Sequence, residues 1–134
     1  MKVLSLFDGI SCGMLALQRA GIPVECYDAF EIDKYAVTVS KRNFPVIVHH
    51  GNVYDGDFTQ FQGYDLLLGG SPCTYWSIAK KDREVDCNGE GFRLFKEYVR
   101  ALEESGCKYF LYENNYSVHQ CIKDEITRVL GVEP

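Results

Sequence analysis

A chain of 134 residues with 46% hydrophobic and 25% charged residues has the size and composition of one soluble globular domain. No stretch approaches the roughly 18 to 20 apolar residues of a membrane span, and the opening MKVLSLFDG lacks the apolar region and cleavage site of a secretory signal, so the chain is expected to work inside a cell, away from membranes. Its net charge of −5 has the wrong sign for gripping nucleic acid unaided, since Lys and Arg must neutralise the phosphates; Lys41-Arg42 and Lys80-Lys81 read as solvated surface.

In chain order, Val3 to Phe7 is a short apolar run closed by Asp8-Gly9, which suits a buried parallel strand turning into a helix. That helix is expected from about Cys12 to Ala20, stopped by Gly21 and Pro23. A second strand runs from Val24 to Phe30, a helix from Asp33 to Asn43 ends before Pro45, and Val46 to Val48 reads as a third strand. Tyr64 to Leu68 is the fourth strand, ending in Gly69-Gly70. Ser71 to Gly91 is polar and aperiodic, hence a long surface loop of the kind that carries function. Phe95, Tyr98, Val99 and Leu102 recur at helical spacing, predicting a helix over Phe92 to Ser105. Lys108 to Tyr112 is the fifth strand; Val118, Cys121, Ile122, Ile126 and Val129 form the stripe of a last helix ended by Gly131. The alternation predicts an α/β fold, a parallel sheet with helices on both faces. Ligands of such sheets bind beyond the strands' carboxyl ends.

Six cysteines (Cys12, Cys26, Cys73, Cys87, Cys107 and Cys121) show no CxxC pair and no Cys/His cluster at zinc spacing, so no metal is expected; free thiols, mostly small buried hydrophobes, are the default. Cys73 is the exception. It follows Gly69-Gly70-Ser71-Pro72 at a strand's carboxyl end, which positions a thiol for nucleophilic attack.

Three further features fall at the same edge. Phe7-Asp8-Gly9-Ile10-Ser11-Cys12-Gly13 opens the first helix: Gly9 permits a tight turn, Gly13 lets backbone approach a ligand, and the helix start offers N–H groups. The loop departs from GxGxxG, against an NAD site. Glu31, 18 residues past Gly13, is an acid at the end of the second strand, suited to ribose hydroxyls. Glu113-Asn114-Asn115, 40 residues beyond Cys73, places a carboxylate at the end of the fifth strand, able to act on the same substrate. Taken singly, a strand-end acid or a Glu-Asn-Asn turn is ordinary surface or helix cap; the combination describes a nucleoside-containing cofactor beside a nucleophile.

That combination resembles the cytosine-5 DNA methyltransferases, and LSLFDGISCG is close to the wording in the animal de novo enzymes and their phage and bacterial relatives. FDGISCG matches the first cofactor motif, the Pro-Cys of GGSPCTYWS the catalytic motif, and ENN the ENV motif, with Asn115 departing at the third position. The resemblance implies a Rossmann-like class I methyltransferase fold, cut short after about five strands, with S-adenosylmethionine as cofactor. It implies a cofactor site of Phe7, Asp8, Gly9, Ile10, Ser11 and Gly13 in the loop, Glu31 on the ribose, Ile32 on the adenine, Asn52 and Val53 at the adenine edge, and Pro72 and Leu94 beside them. Many relatives carry Asp where this chain has Asn52; the Asn oxygen can still accept from an adenine amino group.

Cys73 and Glu113 would be catalytic, with Ser71, Pro72, Thr74, Ser77 and Asn114 on the substrate side and the loop to Gly91 closing over the base. No segment resembles the family's arginine motif, recognition region or final helix, so the chain is expected to be an N-terminal catalytic portion, its sixth strand due at Val132 to Pro134, inactive or weak alone. DNA would then be held by a recognition region or partner chain, a restriction endonuclease would be the functional partner in a restriction system, and an exposed sheet edge would favour homodimers. The location expected is cytoplasmic for a bacterial or phage protein and nuclear for a eukaryotic one. Two alternatives stay open: the branch of the family that modifies transfer RNA, and a non-catalytic cofactor-binding or assembly subunit.

Overall fold

The computed structural model describes residues 1–133; Pro134, in the stretch where a sixth strand is expected to begin, lies outside them. Five parallel strands pair in the order β3-β2-β1-β4-β5: β1 Lys2–Leu6, β2 Cys26–Phe30, β3 Val48–His49, β4 Leu66–Gly69 and β5 Tyr109–Tyr112. The helices are α1 Cys12–Arg19, α2 Lys34–Asn43, α3 Glu90–Ser105 and α4 Gln120–Leu130. No helix among the described residues is long and apolar enough to cross a membrane, and no group of three His, Cys, Asp or Glu side chains there could hold a metal ion.

Alternation along the strands sorts side chains between two faces. One face carries Val3, Tyr27 and Ala29 into a core shared with Met14 and Leu17 of α1. The other carries Leu4, Leu6, Phe30 and Leu67 into a core closed by Tyr98 and Ala101 of α3 and by Phe58 and Phe61 of the 3-10 turn before β4. β1 lies between β2 and β4, and that reversal of strand order opens the crevice in which the site forms.

Several boundaries move for local reasons. β3 is only Val48–His49, because Ile47 donates to the Phe44 carbonyl (3.1 Å) in a turn that leaves Val46 71% exposed while Ile47 is buried. α3 begins at Glu90, two residues early, because the Glu84 carboxylate accepts from the N–H groups of Glu90 (2.9 Å) and Gly91 (3.0 Å), replacing the side-chain cap that Gly89 cannot provide. Gly89 makes room for it: a Cβ there would lie 2.1 Å from the Glu84 carboxyl carbon.

Two expectations are corrected. The cysteines are not buried hydrophobes: Cys12, Cys73 and Cys121 are exposed and Cys26, Cys87 and Cys107 half-buried, since the core positions are filled by larger aliphatic and aromatic groups. The stretch from Ser71 to Gly91 is not merely surface, because Trp76 is wholly buried against Phe92, Phe95, Val118 and Ile122 and pins the loop to α3 and α4. Ile78 to Asp82 remain exposed beyond that anchor.

Replacing so large a buried ring leaves a cavity. Trp76→Ala is expected to lower the unfolding free energy by about 3–5 kcal/mol in urea titration, and a loss below about 1 kcal/mol would show that the loop is not held by this packing.

Candidate active site

The turn after β1 has an uncommon backbone. Phe7 (φ 57°), Gly9 (φ 58°) and Ser11 (φ 66°) all lie in the left-handed region, which L side chains at two of these positions resist. The Asp8 carboxylate holds the turn from beneath. It accepts from the hydroxyls of Ser5 (2.6 Å) and Tyr27 (2.6 Å) and from Ser11 Oγ. Ser11, fully buried, continues the chain to Ser40 of α2 (2.5 Å), and Ser40 to His49 of β3 (3.2 Å). Burial, reinforced by the neighbouring Asp8 charge, raises the Tyr27 phenol well above its usual range, so it remains a proton donor to that carboxylate. Burial likewise holds the His49 imidazole below its ordinary value.

Glu31 fastens the same turn from above: Oε2 accepts from Gly9 N–H and Oε1 from Asp33 N–H, both at 2.8 Å. Beside it a cavity of about 240 Å³ opens between the ends of β1 and β2, the turn after β3 and the start of α3. Phe7, Glu31, Ile32, Asn52, Val53, Pro72 and Leu94, all expected on the cofactor, line it, as does Thr74, expected on the substrate. The rest of the glycine loop does not. Asp8 and Ser11 turn into the protein, and Ile10 and Ser11 border a separate depression with Cys12, Leu15, Asn43 and Phe44. Gly13 serves packing, since a Cβ there would lie 2.9 Å from both Leu68 Cδ1 and the Tyr27 hydroxyl; the residue lets α1 approach the sheet.

Parallel pairing of Gly69 with Tyr112 brings the two remaining motifs off adjacent strand ends. Gly70 is the contact point: Glu113 N–H donates to Gly69 O (2.9 Å), and a Cβ on Gly70 would stand 2.1 Å from Glu113 O, so no side chain fits between Gly70 and Glu113. Ser71, buried, shares a hydrogen bond with the Tyr112 hydroxyl (2.7 Å), while Asn114 Nδ2 donates to Ser71 O (2.9 Å) and to the Tyr112 hydroxyl (3.2 Å). Ser71 and Asn114, expected to meet substrate, thus spend their polar atoms joining the two loops. Cys73 opens a 3-10 turn, Cys73–Tyr75, with its thiol-bearing residue exposed and its carbonyl accepting from Trp76 (3.0 Å) and Ser77 (2.8 Å). Glu113 is also exposed. Ser77 Oγ accepts from Ala79 N–H (3.2 Å), a local turn contact.

Four supporting residues escaped the sequence reading. Tyr112 and Trp76 passed as ordinary strand and loop aromatics. Glu84 carried one available signal, an acid just before a glycine-flanked helix start. Arg100 of α3 donates to Val53 O (3.0 Å) and Gly56 O (2.9 Å) while paired with Glu97 (2.6 Å) and Glu104 (3.2 Å), and so fixes the turn that forms the far wall of the cavity. Nothing in a lone helical arginine announces such reach.

Comparison with known proteins finds relatives of this chain in sequence and in fold. The orphan methyltransferase M.SPRI of Bacillus phage SPR is 38% identical over 118 residues, 85% of this chain and 26% of its own length. The type II methyltransferase M.HgiCII of Herpetosiphon aurantiacus is 34% identical over 116 residues, 84% of this chain and 25% of its own. The chain therefore spans about a quarter of the length of the curated relatives it matches. Among solved structures, a Spodoptera frugiperda DNMT2 mutant superposes with a TM-score of 0.68 over 97% of this chain and 40% of its own at 22% identity, and the S. pombe Dnmt2 methyltransferase with 0.66 over 98% and 41% at 18%; these show a shared fold. With a family model matched over residues 1–129, the chain belongs to the C-5 cytosine-specific DNA methylase family.

Proposed function

We propose that this chain forms the cofactor-binding and nucleophile-bearing portion of a DNA cytosine-5 methyltransferase that uses S-adenosylmethionine. The observation that carries the reading is the convergence of the Glu31 cavity, Cys73 and the Glu113 carboxylate at one edge of the sheet, with Pro72 and Thr74 common to the cavity wall and the Cys73 loop. The residues fit an adenosine-bearing group: Ile32, 74% exposed, and Leu94 offer apolar surface for a ring to cover, and Glu31 offers further lone pairs for ribose hydroxyls. When bound, the cofactor supplies an electrophilic methyl group on a sulfonium.

The chain's own residues do the rest. Flipping the target base out of the duplex, at a cost of a few kcal/mol, exposes carbon 6 to the Cys73 thiolate. As the sulfur–carbon bond forms, electron density moves through the ring; Glu113 donates a hydrogen bond or proton at nitrogen 3 and relieves the charge. Carbon 5 then becomes nucleophilic and takes the methyl group. Loss of its proton returns the electron pair to the 5,6 bond and expels Cys73. The chain carries net −5, which supports a division of labour in which another segment grips DNA.

Calorimetric titration of S-adenosylmethionine is expected to show binding that Glu31→Ala weakens about tenfold or more; equal affinity in the two proteins would remove Glu31 from the ribose. In a complete enzyme containing this chain, a duplex with 5-fluorocytosine at the target should trap the wild type covalently and Cys73→Ser not at all. Asn114→Ala, which loosens the link between the loops, should slow trapping about 10²-fold. Trapping of transfer RNA in place of DNA would reassign the acceptor, and cofactor binding without any trapping would make the chain a non-catalytic subunit.

A further inference from the structure

The adenine edge of this cavity, where Asn52 and Val53 are expected, carries further polar groups. Asn52 Oδ1 accepts from Tyr54 N–H (3.0 Å), capping the 3-10 turn Val53–Asp55. That interaction orients the amide: its oxygen is engaged in the turn, and its nitrogen, a donor, makes no hydrogen bond among the described residues. Across the cavity wall, the Tyr54 hydroxyl donates to Glu90 Oε1 at 2.6 Å. Both residues line the cavity with Asn52, Val53 and Leu94. Glu90 is held from behind by Arg93 (3.6 Å) and by its own N–H on Glu84.

The polarity of this pair follows from its protonation. Burial first, and then the Glu90 hydrogen bond, push the Tyr54 phenol up to about 12, so its proton stays between the two oxygens at any working pH. With that proton committed, the phenol oxygen and the remaining carboxylate lone pairs are acceptors only. The wall thus presents a donor from Asn52 next to acceptors from Tyr54 and Glu90. A 6-aminopurine has the complementary edge, a ring-nitrogen acceptor beside an amino donor; a 6-oxopurine has the reverse.

We infer that Glu90, seated by Tyr54, is the specificity-determining acid for the purine of the cofactor, accepting from its exocyclic amino group. This rests on the cofactor reading above, because it assigns the adenine end of the same cavity. Tyr54 is 45% exposed, so the discrimination is modest, about tenfold.

The test is a calorimetric comparison of S-adenosylmethionine with its hypoxanthine counterpart in the full chain. The wild type should prefer the amino compound about tenfold. Glu90→Gln, whose amide can donate to a 6-oxo group, should bring the two ligands within about threefold of each other, and Tyr54→Phe should fall between. Glu31→Ala should weaken both ligands by the same factor and leave their ratio unchanged, and urea titration of each variant should show the fold intact. A Glu90→Gln protein that keeps the wild-type ratio overturns the assignment of Glu90 while leaving the cofactor site standing. A wild type that binds neither compound overturns the cofactor reading itself, and this inference with it.

Discussion

The carboxyl edge of the sheet depends on a single half-buried carboxylate, that of Asp8. Three residues between β1 and α1 adopt left-handed backbone, and two of them carry side chains for which that conformation costs on the order of 1 kcal/mol or more each. Asp8 offsets the cost by accepting three hydroxyl hydrogen bonds from β1, β2 and the loop itself. Because Ser11 extends the network to Ser40 and His49, the same carboxylate also joins α2 and β3 to the turn. Held this way, the turn aims Gly9 N–H outward at Glu31 and presents Phe7 to the cavity. The acid within the glycine loop therefore shapes the site from behind, and Glu31 at the next strand end faces it.

A second constraint operates where β4 meets β5. Gly70 and Glu113 approach so closely that backbone meets backbone, and the Ser71, Tyr112 and Asn114 side chains close the gap with partly buried hydrogen bonds. Such partly buried polar groups are costly when any member is missing, so the set fixes one relative placement of the two loops. Cys73 and Glu113 inherit that placement without touching the network themselves. Trp76 and Glu84 then anchor the far side of the Cys73 loop to α3, while the tip at Ile78 to Asp82 stays exposed.

Strand and helix order was legible because short apolar runs alternate with helical stretches, several closed by glycine or proline, as at Asp8-Gly9, Gly21 to Pro23, Gly69-Gly70 and Gly131, and because the last two helices each show one apolar stripe. Boundaries failed where a particular nearby hydrogen bond decides them: the Glu84 carboxylate for α3 and the Ile47-to-Phe44 backbone turn for β3. The site was legible in position, since Glu31, Cys73 and Glu113 all follow strands, but less so in role. A sequence shows that Asp8, Ser11, Ser71 and Asn114 are polar residues at a strand end; it does not show which way each points. Four of them point into the protein, and the contacts that make this so join residues as far apart as Ser71 and Asn114. The cysteines misled for a related reason: burial statistics describe the residue type, whereas these positions fall on strand starts, loops and helix surfaces.

The charge of the chain acquires a sense once the site is placed. Glu31 and Glu90 both line the cavity and Arg93 offsets only the second, so the acidic wall favours a cationic or donor-rich ligand. Under the proposed function that ligand carries a sulfonium before transfer and none after it, and a negative wall therefore binds the reactant more tightly than the spent product. The same field repels phosphate. A surface tuned to hold a cationic cofactor is poorly suited to hold DNA as well, and separating the two tasks onto different segments lets each electrostatic environment suit its own ligand.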